Sequence, residues 1–237
     1  MLGTQPRILA VGEAHAPQGS EAVLSATSRF AHALLPLLRG RMSDLVLELA
    51  VADGSCGARE RQVAAAQKPV TARQASTNQD ELVALRRRAT ELGARAHLLR
   101  PSCADYAEVA RAGPDAIPRM LELVARLTAT RVRALLSAAP SSSDRMVVTY
   151  GGAMHNDLVP RPGREKWSFG PERSARTSGR YVELDLVVPE YVRDNDSWRA
   201  LEWYPYFSPA AHPGKTLLFN PRPGSYVLIF PRDGVQR

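Results

Sequence analysis

Residues 7–15 read RILAVGEAH, an apolar run of strand length that breaks at Gly12 into Glu13-Ala14-His15. Short apolar runs with β-branched residues suit buried strands, and a glycine marks a sharp strand-to-loop turn. From Ser20 to Leu38 the pattern becomes helical, with Val23, Phe30, Leu34 and Leu37 on one stripe, Ser20 as N-cap and Gly40 as stop. Residues 44–50, DLVLELA, then supply a second buried strand. A strand, a helix and a strand imply parallel strands with a right-handed crossover.

The pattern continues along the chain. Residues 53–78 have poor periodicity and read as a loop with some helix near 59–66. Residues 80–92 form a helix with Leu82, Leu85, Ala89 and Leu92 on one face. AHLL at 96–99 is a third strand. Helices follow at 105–111 and at 115–137, the latter ended by the Ser-rich patch at 141–143. RMVVTY at 145–150 is a fourth strand, turned by Gly151-Gly152. After residue 160, Pro, Trp and Tyr become common, and 181–188, 216–219 and 226–230 look like strands with Pro-Gly turns at 213–214 and 223–224. The expected fold is α/β, a mostly parallel central sheet flanked by helices. The expected organisation is one domain over 1–237, with a core at 1–160 and a strand-rich extension at 161–237. The extension is expected to cover part of the active edge, with Trp167, Trp198, Trp203, Tyr204 and Tyr206 as pocket wall.

Composition narrows the function classes. The chain has 237 residues and a net charge of +7, but its 31 basic residues are dispersed among 24 acids. No zinc-finger spacing or aromatic RNA-binding signature occurs, so no nucleic-acid partner is expected. No apolar run is long enough for a bilayer, so no membrane partner is expected either. The first residues lack signal-peptide features, which points to the cytoplasm. Cys56 and Cys103 each follow an expected strand, so they belong to one edge of the sheet. In a reducing compartment they are expected as free thiols that ligate no metal. Gly-x-Ser-x-Gly, the P-loop and the dinucleotide glycine fingerprint are absent.

What remains is a constellation. Open parallel sheets bind ligands at the carboxyl ends of their strands. Glu13 and His15 follow the first strand there, Glu48 sits near the end of the second, and His155 follows the fourth. A carboxylate inside the apolar run LVLELA is costly to desolvate unless paired or coordinated. On that ground, Glu48→Gln is expected to raise stability while impairing function. His15 and His155 each close a Gly-x-x-His turn, whereas His32 and His97 lie within expected elements and read as structural. Two imidazoles and two carboxylates suit general acid-base work or a divalent metal. Asn156 and Asp157 are placed to orient His155 or bind substrate, or to cap the next segment.

The ordered set VGEAH, LVLELA and YGGAMH resembles the superfamily that joins erythromycin esterases, ChaN-like haem-binding lipoproteins and Tiki/TraB proteins. The resemblance covers residues 7–157. It implies an EreA/ChaN-like α/β core with one Gly-x-x-His turn near its start and another much later. It implies Glu13, His15, Glu48 and His155 as catalytic residues. Two functions follow from it. The first is a hydrolase of a small-molecule or peptide substrate, cleaving an ester, amide or similar bond. There a histidine is the general base, or a divalent metal (Mn, Co or Zn) on His15, Glu48 and His155 activates water, and Tyr150, Asn156 and Asp157 contact substrate. The alternative is a haem- or iron-ligand-binding protein, with Tyr150 or a histidine as axial ligand.

Overall fold

The structure is a computed structural model and describes residues 5–52, 54–139, 145–208, 212 and 214–234. Seven strands form one sheet: β1 (Ile8–Glu13), β2 (Met42–Ala50), β3 (Arg95–Leu99), β4 (Met146–Gly152), β5 (Tyr181–Val187), β6 (Leu217–Arg222) and β7 (Ser225–Ile229). Their order is β3-β2-β4-β1-β5-β7-β6. All pairings are parallel except β6 with β7, which form an antiparallel hairpin. The expected α/β class holds, and the strand-rich tail extends the same sheet.

β1 is the central strand and every one of its residues is buried. Strands covered on both faces need continuous apolar runs, and ILAV is such a run. Its alternate residues feed two cores. Leu9 and Val11 face a layer built on Phe30, Leu35, Leu82 and Leu85. Ile8 and Ala10 face Val63, Tyr106, Leu123 and Val132. The first layer comes from the helical segment beginning with α1 (Ala26–Arg29) and from α3 (Asn78–Glu91). The second comes from α2 (Ala58–Thr71), α4 (Cys103–Arg111) and α5 (Ala116–Ala138).

The expected helix at 20–38 starts later. Ser25 caps α1, its Oγ accepting from Ser28 N at 3.0 Å, while Ser20 instead donates to Pro17 O in a local turn. The segment then widens over Phe30–Leu34, where Leu35 N–H reaches Phe30 O, and tightens over Leu35–Leu38. Pro36 lacks the N–H that a regular ladder requires there. The helix expected near 59–66 within the 53–78 loop is there and is longer, the 14-residue α2. Its apolar stripe is weak because Val63 alone among its side chains is fully buried. The Ser-rich patch at 141–143 and Pro213 lie outside the described residues.

Two expectations about the edge change. First, Cys56 and Cys103 are joined in a disulfide, with Cα atoms 5.2 Å apart, and are not free thiols. β2 and β3 are parallel neighbours, so the segments following them leave the same edge and meet. A disulfide persists in an oxidising environment. Second, Trp198, Trp203 and Tyr204 do not wall a pocket at that edge. They pack on one another and on Val187, Val227 and Ile229, forming a small separate core over β5–β7–β6. Tyr206 is largely exposed. Among the described residues, no helix is long and apolar enough to cross a membrane.

The topology opens a crevice. β4 lies between β2 and β1, so the chain leaving β1 crosses to β2 through α1 on one face. The chain leaving β4 crosses β1 to β5 past Phe169 and α6 (Gly170–Arg176) on the other. Where neighbouring parallel strands send their connections to opposite faces, ligands bind between the loops.

Candidate functional site

The loops flanking that crevice carry His15 and His155. Gly12 and Gly151 stand side by side in the β1–β4 register. A Cβ on Gly151 would collide with the Glu48 side chain, and a Cβ on Gly12 would sit 2.5 Å from Asn156 Oδ1 and 2.7 Å from the Ala153 backbone. Both glycines are there because side chains and backbone close over them.

Glu13 turns from the end of β1 into the core and is almost fully buried. Its carboxylate accepts from Thr27 Oγ1 at 3.0 and 3.1 Å and from the Tyr150 hydroxyl at 2.9 Å. It also accepts from His15 Nδ1 at 2.9 Å, which fixes the proton of a neutral His15 on Nδ1 and leaves Nε2 as the free lone pair. Tyr150 is 1% exposed and packs on Phe30, with ring centroids 4.9 Å apart. Its hydroxyl is thus committed to Glu13, behind the histidine, rather than presented to a substrate or a haem iron.

On the other side, Glu48 Oε2 accepts from Gly152 N–H at 2.5 Å, and Glu48 Oε1 lies 3.4 Å from His155 Nε2. His155 Nδ1 donates to Trp167 O at 2.8 Å. The two halves meet beside Gly152. The position of a Cβ there would lie 3.5 Å from Glu48 Oε2, 3.6 Å from His15 Nε2 and 3.8 Å from His155 Cδ2. Both imidazoles and one carboxylate therefore converge within 4 Å of a single point.

The electrostatics follow from the pairing. Burial pulls the His15 pKa down, but the Glu13 hydrogen bond and the charges of Glu13 and Glu48 outweigh it and raise it to about 9. Burial pushes the Glu48 carboxyl up, yet His155, His15 and the Gly152 N–H hold it down at about 2. For His155 too, burial is overcome by Glu48 and the Trp167 carbonyl, and its pKa is raised. Glu48 is therefore compensated, and Glu48→Gln is now expected to destabilise. Removing its charge would strand two imidazoles.

Asn156 and Asp157 lie elsewhere. Asn156 is buried and its amide donates to Ala10 O at 3.2 Å and Asp185 Oδ1 at 3.3 Å. Asp157 joins Glu183 and Asp185 of β5, and among the described residues this is the set of three acidic or histidine side chains whose donor atoms lie within 4.8 Å of one another. His15, Glu48 and His155 do not form such a set, so they do not fit a metal as they stand. Burial drives all three acids upward, Asp157 to about 6 and Glu183 to about 7, and mutual repulsion adds to this for Glu183 and Asp185. Sequence reading passed over these β5 acids, although Glu-x-Asp at period two inside YVELDLV signals two acids on one face of a buried strand. Thr27 and the Trp167 carbonyl were also missed, since neither stands in a motif.

His97 and His32 are structural, as expected. His97 pairs with buried Asp44 at 2.7 Å, and His32 bonds its own helix at Ser28 O. Beneath the crevice only about 10 Å³ is free, so a ligand must approach from the solvent side, where the His15 side chain is 24% exposed. A larger groove of about 540 Å³ runs between α4, α5 and the 166–173 segment, with Phe169 lining both spaces. No protein-family model, no curated protein and no solved structure matches this chain.

Proposed function

We propose that this chain is a hydrolase in which His15, oriented by Glu13, activates water against an ester, amide or related bond of a small-molecule or peptide substrate. This is the activity that the resemblance to the erythromycin esterase, ChaN and Tiki/TraB superfamily implies. The observation that carries it is the Glu13–His15 pair, whose Nε2 has no hydrogen-bond partner among the described residues and converges with Glu48 and His155.

In the unprotonated state His15 Nε2 takes a proton from water, and the resulting hydroxide adds to the substrate carbonyl. Glu13 and Glu48 stabilise the imidazolium that forms. As the bond to the leaving group breaks, His15 returns the proton to it. His155, charged beside Glu48 and anchored on Trp167 O, offers positive charge to the developing oxyanion. Glu13 is a positioning residue, and Thr27 and Tyr150 hold it.

A panel of chromogenic esters and amides tests this with the wild type, His15→Ala and Glu48→Gln. Hydrolysis by the wild type that His15→Ala abolishes supports the reading. Equal rates in wild type and His15→Ala end it. Absence of hydrolysis together with a haem absorption band that His15→Ala removes would favour the binding alternative.

A further inference from the structure

We infer that Asp157, Glu183 and Asp185 form a site for one oxygen-seeking divalent cation that ties the His155 loop to β5. Three observations carry it, and none involves the imidazole centre.

First, the three carboxylates come from two different parts of the chain and still bring their oxygens within 4.8 Å of one another. Calcium binds oxygens at about 2.3–2.6 Å, so an ion of that size bridges any two of them and takes all three with a slight closing of the set, while smaller Mn²⁺ or Mg²⁺ needs a larger one. Second, Glu183 and Asp185 occupy β5 positions that pair with Ala10 and Gly12 of the central strand. Tyr181, two residues earlier on the same face, sits in an apolar core. Acids replace apolar residues where β5 reaches its carboxyl end.

Third, the amide oxygen of Asn156 is buried and has no hydrogen-bond partner, although the residue is only 2% exposed. Its amide nitrogen is spent on Ala10 O and Asp185 Oδ1, which turns the oxygen toward the face of Gly12. There Asn156 Oδ1 and Asp185 Oδ1 lie 2.5 and 2.6 Å from the same point. A buried acceptor beside an ionised Asp185 finds no donor there. A cation held by the three acids would lie on the side of Asp185 toward which this oxygen is turned. An all-oxygen set selects Ca²⁺, Mn²⁺ or Mg²⁺ over zinc. Asn156 and Asp157 directly follow His155, so such an ion would fix the segment that presents that imidazole.

The test is equilibrium uptake of Ca²⁺ and Mn²⁺ by the full chain after chelator treatment, with Mg²⁺ as competitor. One saturable equivalent is expected, weakened at least tenfold by Glu183→Gln and by Asp157→Asn, and unchanged by His15→Ala. Asp157 is a partly exposed loop residue, so its variant keeps the test valid if a β5 variant fails to fold. No saturable uptake would mean that the acids share protons instead, and would overturn the site. So would uptake that survives both acid variants, or uptake that His15→Ala removes.

Discussion

Two groups of buried and half-buried carboxylates stand at the carboxyl edge of one sheet and titrate in opposite directions. At the β1–β4–β2 end, Glu48 faces two imidazoles and is held down at about 2. At the β5 end, Glu183 faces two more acids and rises to about 7. Burial disfavours the charge in both places, so the sign of the neighbours decides the outcome. The first group is a set of compensated charges ready to move a proton. The second is a set of mutually repelling acids that Arg161, Arg164 and Arg222 offset only in part, which leaves it ready for a cation.

The largest expected effect tests the first group alone. His15→Ala should lower kcat/KM by about 10²–10⁴-fold, the range for losing a general base. Because His15 must be unprotonated to act, wild-type activity should climb as pH rises toward about 9 and fall again where His155 loses its charge. Glu13→Gln removes the carboxylate that raises this pKa, so the climb should move to lower pH. A pH profile of each variant checks both statements.

The disulfide comes next. Cys56 lies eight residues beyond Glu48, and its bond to Cys103 spans 47 residues. Constraining a loop of that length stabilises by about 4 kcal/mol in the chain-entropy description. Thermal melts with and without reductant should therefore differ by roughly 10 °C for a chain of this size. Cation uptake at β5, on the other side of β1, should not change. A melt indifferent to reductant would show that the bond contributes nothing to this edge.

Stability against pH separates the two groups by sign. The Glu48 pKa is depressed below its ordinary 4.5, so its contribution is present above 4.5 and is lost as pH falls toward 2. The raised acids behave in the reverse way. Folding favours their protonated forms, so without divalent cations stability should fall as pH rises from about 4 toward 7. At pH 8 in chelator, Glu183→Gln should stabilise and Glu48→Gln should destabilise, each by roughly 1–3 kcal/mol. Chemical denaturation of the two variants measures this, and the same sign for both would break the comparison. The smallest effect belongs to Tyr150→Phe. It removes one hydrogen bond from Glu13, costing about 1 kcal/mol by the same denaturation measurement.

How much of this was legible depends on whether the signal is local. β1, β2 and β4 were readable because a strand buried on both faces must be an apolar run, and that requirement is written in consecutive residues. Gly12 and Gly151–Gly152 marked the turns because only glycine permits such close approach. The start of α1 was misplaced because Ser20 and Ser25 are both competent caps, and the choice between them rests on Ser20 engaging Pro17 instead. α2 was read too short, as some helix near 59–66 within a loop, because its surface carries almost no apolar stripe.

By itself, the sequence determined that this chain alternates strands and helices into a parallel sheet and sends Glu13, His15, Glu48 and His155 to one edge. Periodicity and turn chemistry act over a few residues, so they survive reading along the chain. Tertiary structure alone decided that β4 enters between β1 and β2, which brings the two imidazoles to a shared point. It also decided that Tyr150 turns inward to hold Glu13, that Cys56 meets Cys103, and that Asp157 joins the acids of β5. Each of these depends on which strands become neighbours. Strand order is set by how the helices cover the two faces, a balance over the whole chain that no single stretch contains.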